Sequence, residues 1–182
     1  VAQPLLMTAE QSLRIIVLGR RGAGKTTLAR RLAHATGARP IALDQAGRLA
    51  AAAGISREAF VLRACSPDGR WIAVGNHAVR LLAPRATLIV ILCPPWHVRA
   101  WRFTRRELRR PGKRWRLRRL RILALGLLPG RSAGRLYREI GERFGPQRVI
   151  RVRTDAEAAA LIEALRGEAR AAPGQDAPTA RA

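Results

Sequence analysis

Residues 19–26 read Gly-Arg-Arg-Gly-Ala-Gly-Lys-Thr, glycines at three positions followed by a lysine and a hydroxyl. Gly19, Gly22 and Gly24, with the small Ala23 between them, let the backbone curl so that successive N–H groups converge on phosphate oxygens. Lys25 then reaches the outer two phosphates, and the hydroxyl of Thr26, with Thr27 beside it, stands where a Mg²⁺ ion would sit. The chemistry predicted is capture of ATP, or of another nucleoside triphosphate, by its phosphates.

The context of those residues supports that reading. Residues 13–18, LRIIVL, form a β-branched run of the kind found in buried parallel strands, and leucines at 28 and 32 begin a helical spacing that Gly37 closes. Strand, glycine loop and helix therefore follow in the order that a phosphate-cradling loop requires. Asp44, at the end of the next short strand, is the acid placed to hold Mg²⁺ with Thr26; it can also cap the helix that follows, and the two roles are compatible.

Further strands are predicted at 70–74, 87–93 and 148–153. Ser56 is expected to cap one helix, and Thr154 with Glu157 forms a capping box for the last. Five short strands alternating with helices predict an α/β chain of the three-layer P-loop NTPase type, a five-stranded parallel sheet with helices on both faces. Residues 1–11 read as an N-terminal extension, 12–166 as one kinase-like domain and 167–182 as a disordered tail. Within the domain, 96–131 is a basic helical segment, its arginine-rich part from 102 to 121 holding 11 basic residues and one acid.

The formal net charge is +23 and the pI near 12, which points to anionic partners. Cys65 and Cys93 lack zinc-binding spacing and are expected to be reduced core residues. No apolar run reaches the length of a membrane span, so no membrane role and a cytoplasmic location are expected.

These residues together resemble the adenylate-kinase-related proteins often labelled DNA topology modulation proteins. The resemblance is carried by the phosphate loop with its LARRL continuation, Leu43-Asp44, Trp71-Ile72 with Gly75-Asn76, and the apolar strand leading to Pro94, Trp101-Arg102 and Arg106. It covers roughly residues 12–166 and implies a small kinase that passes the γ-phosphoryl group of ATP, with Mg²⁺, to a small-molecule acceptor. It further implies that Arg102 and Arg106, four apart on one helical face, close over the transferring group as a lid. Gly75, Asn76 and Arg80 lie where an acceptor would bind, with Asp44 beside them. The sequence departs from its relatives in two acids, since Val74 and an apolar stretch ending in Cys93 stand where aspartates are common. A second reading is therefore a catalytically degenerate nucleotide-binding protein whose basic helix binds nucleic acid, with Trp101, Phe103 and Trp115 available to stack on bases. Trp101 and Trp115 are otherwise expected to pack on the sheet or under the lid, and His77 and His97 to be structural.

Overall fold

A computed structural model of the protein describes residues 12–76, 79–108 and 131–171. Five strands, β1 (Arg14–Gly19), β2 (Arg39–Ala42), β3 (Trp71–Val74), β4 (Leu88–Leu92) and β5 (Val149–Val152), form one parallel sheet in the order β2-β3-β1-β4-β5. Its register sets Ile15 beside Ile72 on one side and Leu88 on the other. The chain leaves β1 toward one edge for β2 and β3, then crosses to the other edge for β4 and β5. A crevice opens where those directions part, at the C-terminal end of β1.

Alternation along the strands makes two cores. Ile15, Val17, Ile72 and Val90 face α1 (Lys25–Thr36) and α7 (Asp155–Ala171), which contribute Leu28, Leu32, Leu161 and Leu165. Ile16, Leu18, Ala73 and Ile91 face the opposite layer, made of α2 (Ala46–Ala52), α3 (Arg57–Ala64), α4 (Val79–Leu82) and α6 (Arg131–Arg148), through Ala46, Val61, Leu82 and Ile140. The five residues of β4 are all buried, which explains their unbroken apolar run. Burial of each such aliphatic side chain contributes roughly 1.5–3 kcal/mol, and this two-sided core holds the crevice residues in place. The five-stranded α/β architecture expected from the sequence is the one observed.

Local signals behaved as their chemistry requires. Ser56 Oγ accepts from Ala59 N at 3.1 Å and starts α3, and Gly37 closes α1 with φ +70°. Thr154 Oγ1 accepts from Glu157 N at 3.1 Å, while the Glu157 carboxylate reaches one residue farther back than a capping box predicts, to Arg153 N at 2.7 Å. Helix α6 is broken at Gly145, φ +70°, ahead of Pro146.

Three expectations are corrected. The tail does not begin at 167, because α7 runs on to Ala171: one glycine costs a helix only about 1 kcal/mol, and Glu168, Ala169 and Arg170 favour continuation, with a cation at the negative helix end. Residues 172–182 and 1–11 lie outside the described residues. Cys93 is exposed rather than part of the core, since β4 ends at Leu92 and delivers the next residue to the sheet edge; Cys65 is buried, and both are free thiols. Trp101 does not pack on the sheet but is 66% exposed on α5 (Trp96–Leu108), because Phe103 takes the inward position on that helix. Trp115, His77 and the basic segment from 109 to 130 lie outside the described residues.

Candidate active site

The loop between β1 and α1 rises at the crevice. Gly22 and Gly24 have φ of +77° and +95°, backbone settings that side chains resist, and a Cβ on Gly22 would lie 2.5 Å from the carbonyl oxygen of Arg99. The loop therefore curls against the backbone of α5, and only glycine fits there. Gly24 is the residue before α1, carries no capping side chain, and leaves the first-turn N–H groups of the helix to other partners. Such groups, at the positive end of a helix, suit phosphate.

Lys25 Nζ donates to the carbonyls of Gly19 at 2.8 Å and Arg20 at 3.3 Å, so its ammonium is held over the loop. Burial lowers its pKa below the ordinary lysine value; the Asp44 carboxylate opposes that shift, and Arg106 and Arg21 add to it. One lysine thus feels the loop, the end of β2 and α5 together. Gly19 is braced in turn by Asn76, whose amide accepts from Gly19 N and donates to Gly19 O, both at 3.3 Å.

A cavity of about 1030 Å³ collects these groups. Gly22, Ala23, Gly24, Lys25, Thr26 and Thr27 line it from the loop and α1, Asp44 and Val74 from the ends of β2 and β3, and Arg102 and Arg106 from α5. Among the residues lining it, Arg20, Arg21, Lys25, Arg30, Arg31, Arg102, Arg106 and Arg153 are basic and only Asp44 and Asp155 are acidic, so it suits a ligand carrying several negative charges. Arg102 Nη2 bonds both oxygens of Asp155, at 2.9 and 2.8 Å, and ties α5 to the start of α7. The Arg106 guanidinium stands 5.2 Å above the Phe103 ring, which fixes its direction.

Not every expected residue comes together. Arg80 does not line the cavity; it pairs with Glu139 of α6 at 2.8 Å, because α4 points it across the outer surface. Asn76 spends both ends of its amide on Gly19, so it shapes the phosphate loop, and Gly75 (φ +133°) brings the chain within 3.1 Å, measured from where a Cβ would stand, of Asp44 Oδ1. Asp44 does not sit at the cap position of α2; Gln45 does, and Asp44 belongs to a short 3-10 turn of residues Leu43–Gln45.

For Mg²⁺ the donor set is one hydroxyl, Thr26, and one carboxylate, Asp44, on the same cavity. Mg²⁺ takes oxygen ligands, keeps several waters and is completed by substrate phosphates, so this sparse set fits it. Among the described residues no group of three or more His, Cys, Asp or Glu offers a denser metal site.

Sequence reasoning passed over Arg153, Thr154 and Asp155, which line the cavity from the turn after β5. A signal for them existed: they directly follow a parallel strand, where ligands gather at the C-terminal sheet edge. Arg20 and Arg21 occupy variable positions of the loop motif, so the motif gave them no role.

Comparison with known proteins agrees with this geometry at the level of fold. A scan of protein-family models gives no match, and a search of curated proteins gives none. Among solved structures the chain is similar to a shikimate kinase from Acinetobacter baumannii bound to shikimate, with 21% identity over 85% of this chain and 92% of that one and a TM-score of 0.53. It is similar also to a gluconokinase from Sinorhizobium meliloti 1021, with 17% identity over 87% of this chain and 92% of that one and a TM-score of 0.51. The fold is that of small P-loop kinases.

Proposed function

We propose that this protein is a small kinase that transfers the γ-phosphoryl group of ATP, or of another nucleoside triphosphate, to a small-molecule acceptor. The observation that carries the reading is the convergence of Lys25, Thr26, Asp44, Arg102 and Arg106 on one strongly basic cavity at the end of β1. The loop amides and Lys25 hold the phosphates, and Thr26 and Asp44 would hold Mg²⁺, which would supply charge neutralisation to them. The acceptor hydroxyl attacks the γ-phosphorus as its bond to the bridging oxygen breaks, the nucleoside diphosphate leaves and the hydroxyl proton passes to solvent, while Arg102 and Arg106 stabilise the negative charge spread over the transferring group. Asp44 and Gly75 border the acceptor side. In this reading the chain is a relative of the adenylate-kinase-related group often labelled DNA topology modulation proteins.

The test is transfer of label. Purified protein with γ-labelled ATP, Mg²⁺ and a panel of nucleosides, nucleotides and sugars is expected to label at least one acceptor, and Lys25→Ala is expected not to. Labelling that is the same in Lys25→Ala, or absent from every acceptor although ATP binds, would remove the transfer step.

The exposure of Trp101, with Arg105 one turn further along the same exposed side of α5, favours a second reading in which that helix binds nucleic acid while Val74, in place of an acid, leaves turnover weak. Phe103 is buried and takes no part in it. Nucleic-acid affinity that falls steeply with salt, and is lost in Trp101→Ala with Arg105→Ala, is the result this reading requires.

A further inference from the structure

Lys25 is held over the phosphate loop by two carbonyls, Gly19 O at 2.8 Å and Arg20 O at 3.3 Å from its Nζ. An ammonium has three N–H groups, so with two given to the loop a single one is left for phosphate. To clasp the outer two phosphates Lys25 must release carbonyls, and what those carbonyls then have left decides how readily it does so. Each of them holds a second donor. Arg20 O accepts from Ala23 N at 3.1 Å, a bond within the loop backbone. Gly19 O accepts from Asn76 Nδ2 at 3.3 Å, a bond from a side chain 57 residues on. Gly19 is buried at the end of β1, and a buried carbonyl left without a donor costs far more than one hydrogen bond exchanged for another.

The sheet itself places Asn76. Alternate carbonyls of the β1 segment serve β3: Leu13 O accepts from Trp71 N at 3.0 Å and Val17 O from Gly75 N at 3.2 Å. Gly19 O is the next on that side, and there the Asn76 side chain takes over from the backbone of the strand. Its amide has one workable orientation. Oδ1 accepts from Gly19 N while Nδ2 donates to Gly19 O, and turning the amide over would set donor against donor and acceptor against acceptor. The second N–H of Nδ2 is left for the Tyr137 phenol of α6. Asn76 lies outside the described lining of the cavity, so it acts through Gly19 and not on the ligand.

We propose that Asn76 is a positioning residue for nucleotide capture: by holding the Gly19 carbonyl it frees Lys25 to carry its ammonium from the loop to the phosphates. The inference rests on the nucleotide-binding half of the kinase reading. Without the Asn76 amide, Gly19 O depends on Lys25, and phosphate must draw the cation away from a buried acceptor that nothing else then serves among the described contacts. Arg20 O makes no such demand, because the Ala23 bond stays in the loop whatever Lys25 does. One of the two releases is therefore built into the backbone, and the other is supplied by a single side chain.

A double-mutant cycle tests this, by calorimetric titration of Mg-ATP into the wild type, Asn76→Ala, Lys25→Ala and the double variant. Asn76→Ala is expected to weaken binding about tenfold where Lys25 is present and less than about twofold where it is absent, since no ammonium then has to leave the carbonyl. A merely structural part for Asn76 would weaken binding by the same factor in both backgrounds. That result, or full affinity in Asn76→Ala, overturns the proposal. If Asn76→Ala does not fold, Asn76→Ser, too short to span both the N–H and the carbonyl of Gly19, takes its place in the same cycle with the same expectation. Failure of the phosphate-loop reading is visible separately, as Mg-ATP bound alike by the wild type and Lys25→Ala, and it takes the inference with it.

Discussion

The two walls of the cavity are made by different means. The phosphate loop is shaped by its own backbone, through Gly22 and Gly24 at positive φ and Lys25 bonded to carbonyls five and six residues away. The α5 wall is made of long side chains: Arg102 pairs with Asp155, 53 residues on, and the Arg106 guanidinium lies over the Phe103 ring of its own helix. A wall built from local backbone geometry resists change, which suits binding of a ground state. A wall built from long side chains can re-aim them, which suits groups that act as charge develops during transfer.

If that division is right, the largest effect belongs to the α5 wall and appears in rate. Replacing Arg102 and Arg106 together with alanine is expected to lower kcat by about a thousandfold, roughly 4 kcal/mol of transition-state stabilisation, with nucleotide affinity changed by less than about fivefold. Steady-state kinetics together with calorimetry check both. A loss of affinity as large as the loss of rate would erase the distinction between the walls.

Gly22→Ala probes where they meet. The new Cβ would stand 2.5 Å from the Arg99 carbonyl oxygen at φ +77°, so loop and α5 must part. The expected cost is about 2 kcal/mol or more, read as a fall in Tm of roughly 4–8 °C, with nucleotide binding lost alongside. Gly24→Ala meets only the end of the Arg102 side chain, at 3.4 Å, and should cost less despite its φ of +95°. Thermal unfolding of the pair ranks them; Gly24→Ala as the more damaging change would mean the joint with α5 is not what constrains the loop.

Asp44→Asn should weaken Mg²⁺-dependent nucleotide affinity about tenfold and leave Tm within a degree or two, since Asp44 does not stand at the cap position of α2. The measurement is calorimetry with and without Mg²⁺, and a fall in stability with normal Mg²⁺ dependence would return Asp44 to a structural part. The smallest effect is expected of Asp155→Asn. Its carboxylate is largely exposed, so the pair with Arg102 contributes about 1 kcal/mol or less, and nucleotide affinity should change by less than about threefold. A larger loss, seen by the same titration, would make Asp155 part of the nucleotide's own contacts.

How much of this could be read in the sequence follows the same division. The strands, the glycine loop and the Ser56 cap depend on neighbours within a few residues, and all appear in the fold. Arg80 was misplaced because nothing near it in sequence shows that Glu139, 59 residues on, holds it outside the cavity. Nothing near Asn76 in sequence shows that its amide closes on Gly19, a partner 57 residues earlier. The aromatic spacing of α5 does not tell which ring turns inward; Phe103 fills that position and Trp101 is left exposed.

The most direct test of the central claim is a calorimetric titration of Mg-ATP into the wild-type protein and Lys25→Ala. Saturable binding is expected in the wild type and at least about 100-fold weaker binding in the variant, near 2.7 kcal/mol, as befits loss of a charge-assisted phosphate contact. Equal affinity in the two proteins would contradict the assignment of this loop as the phosphate site.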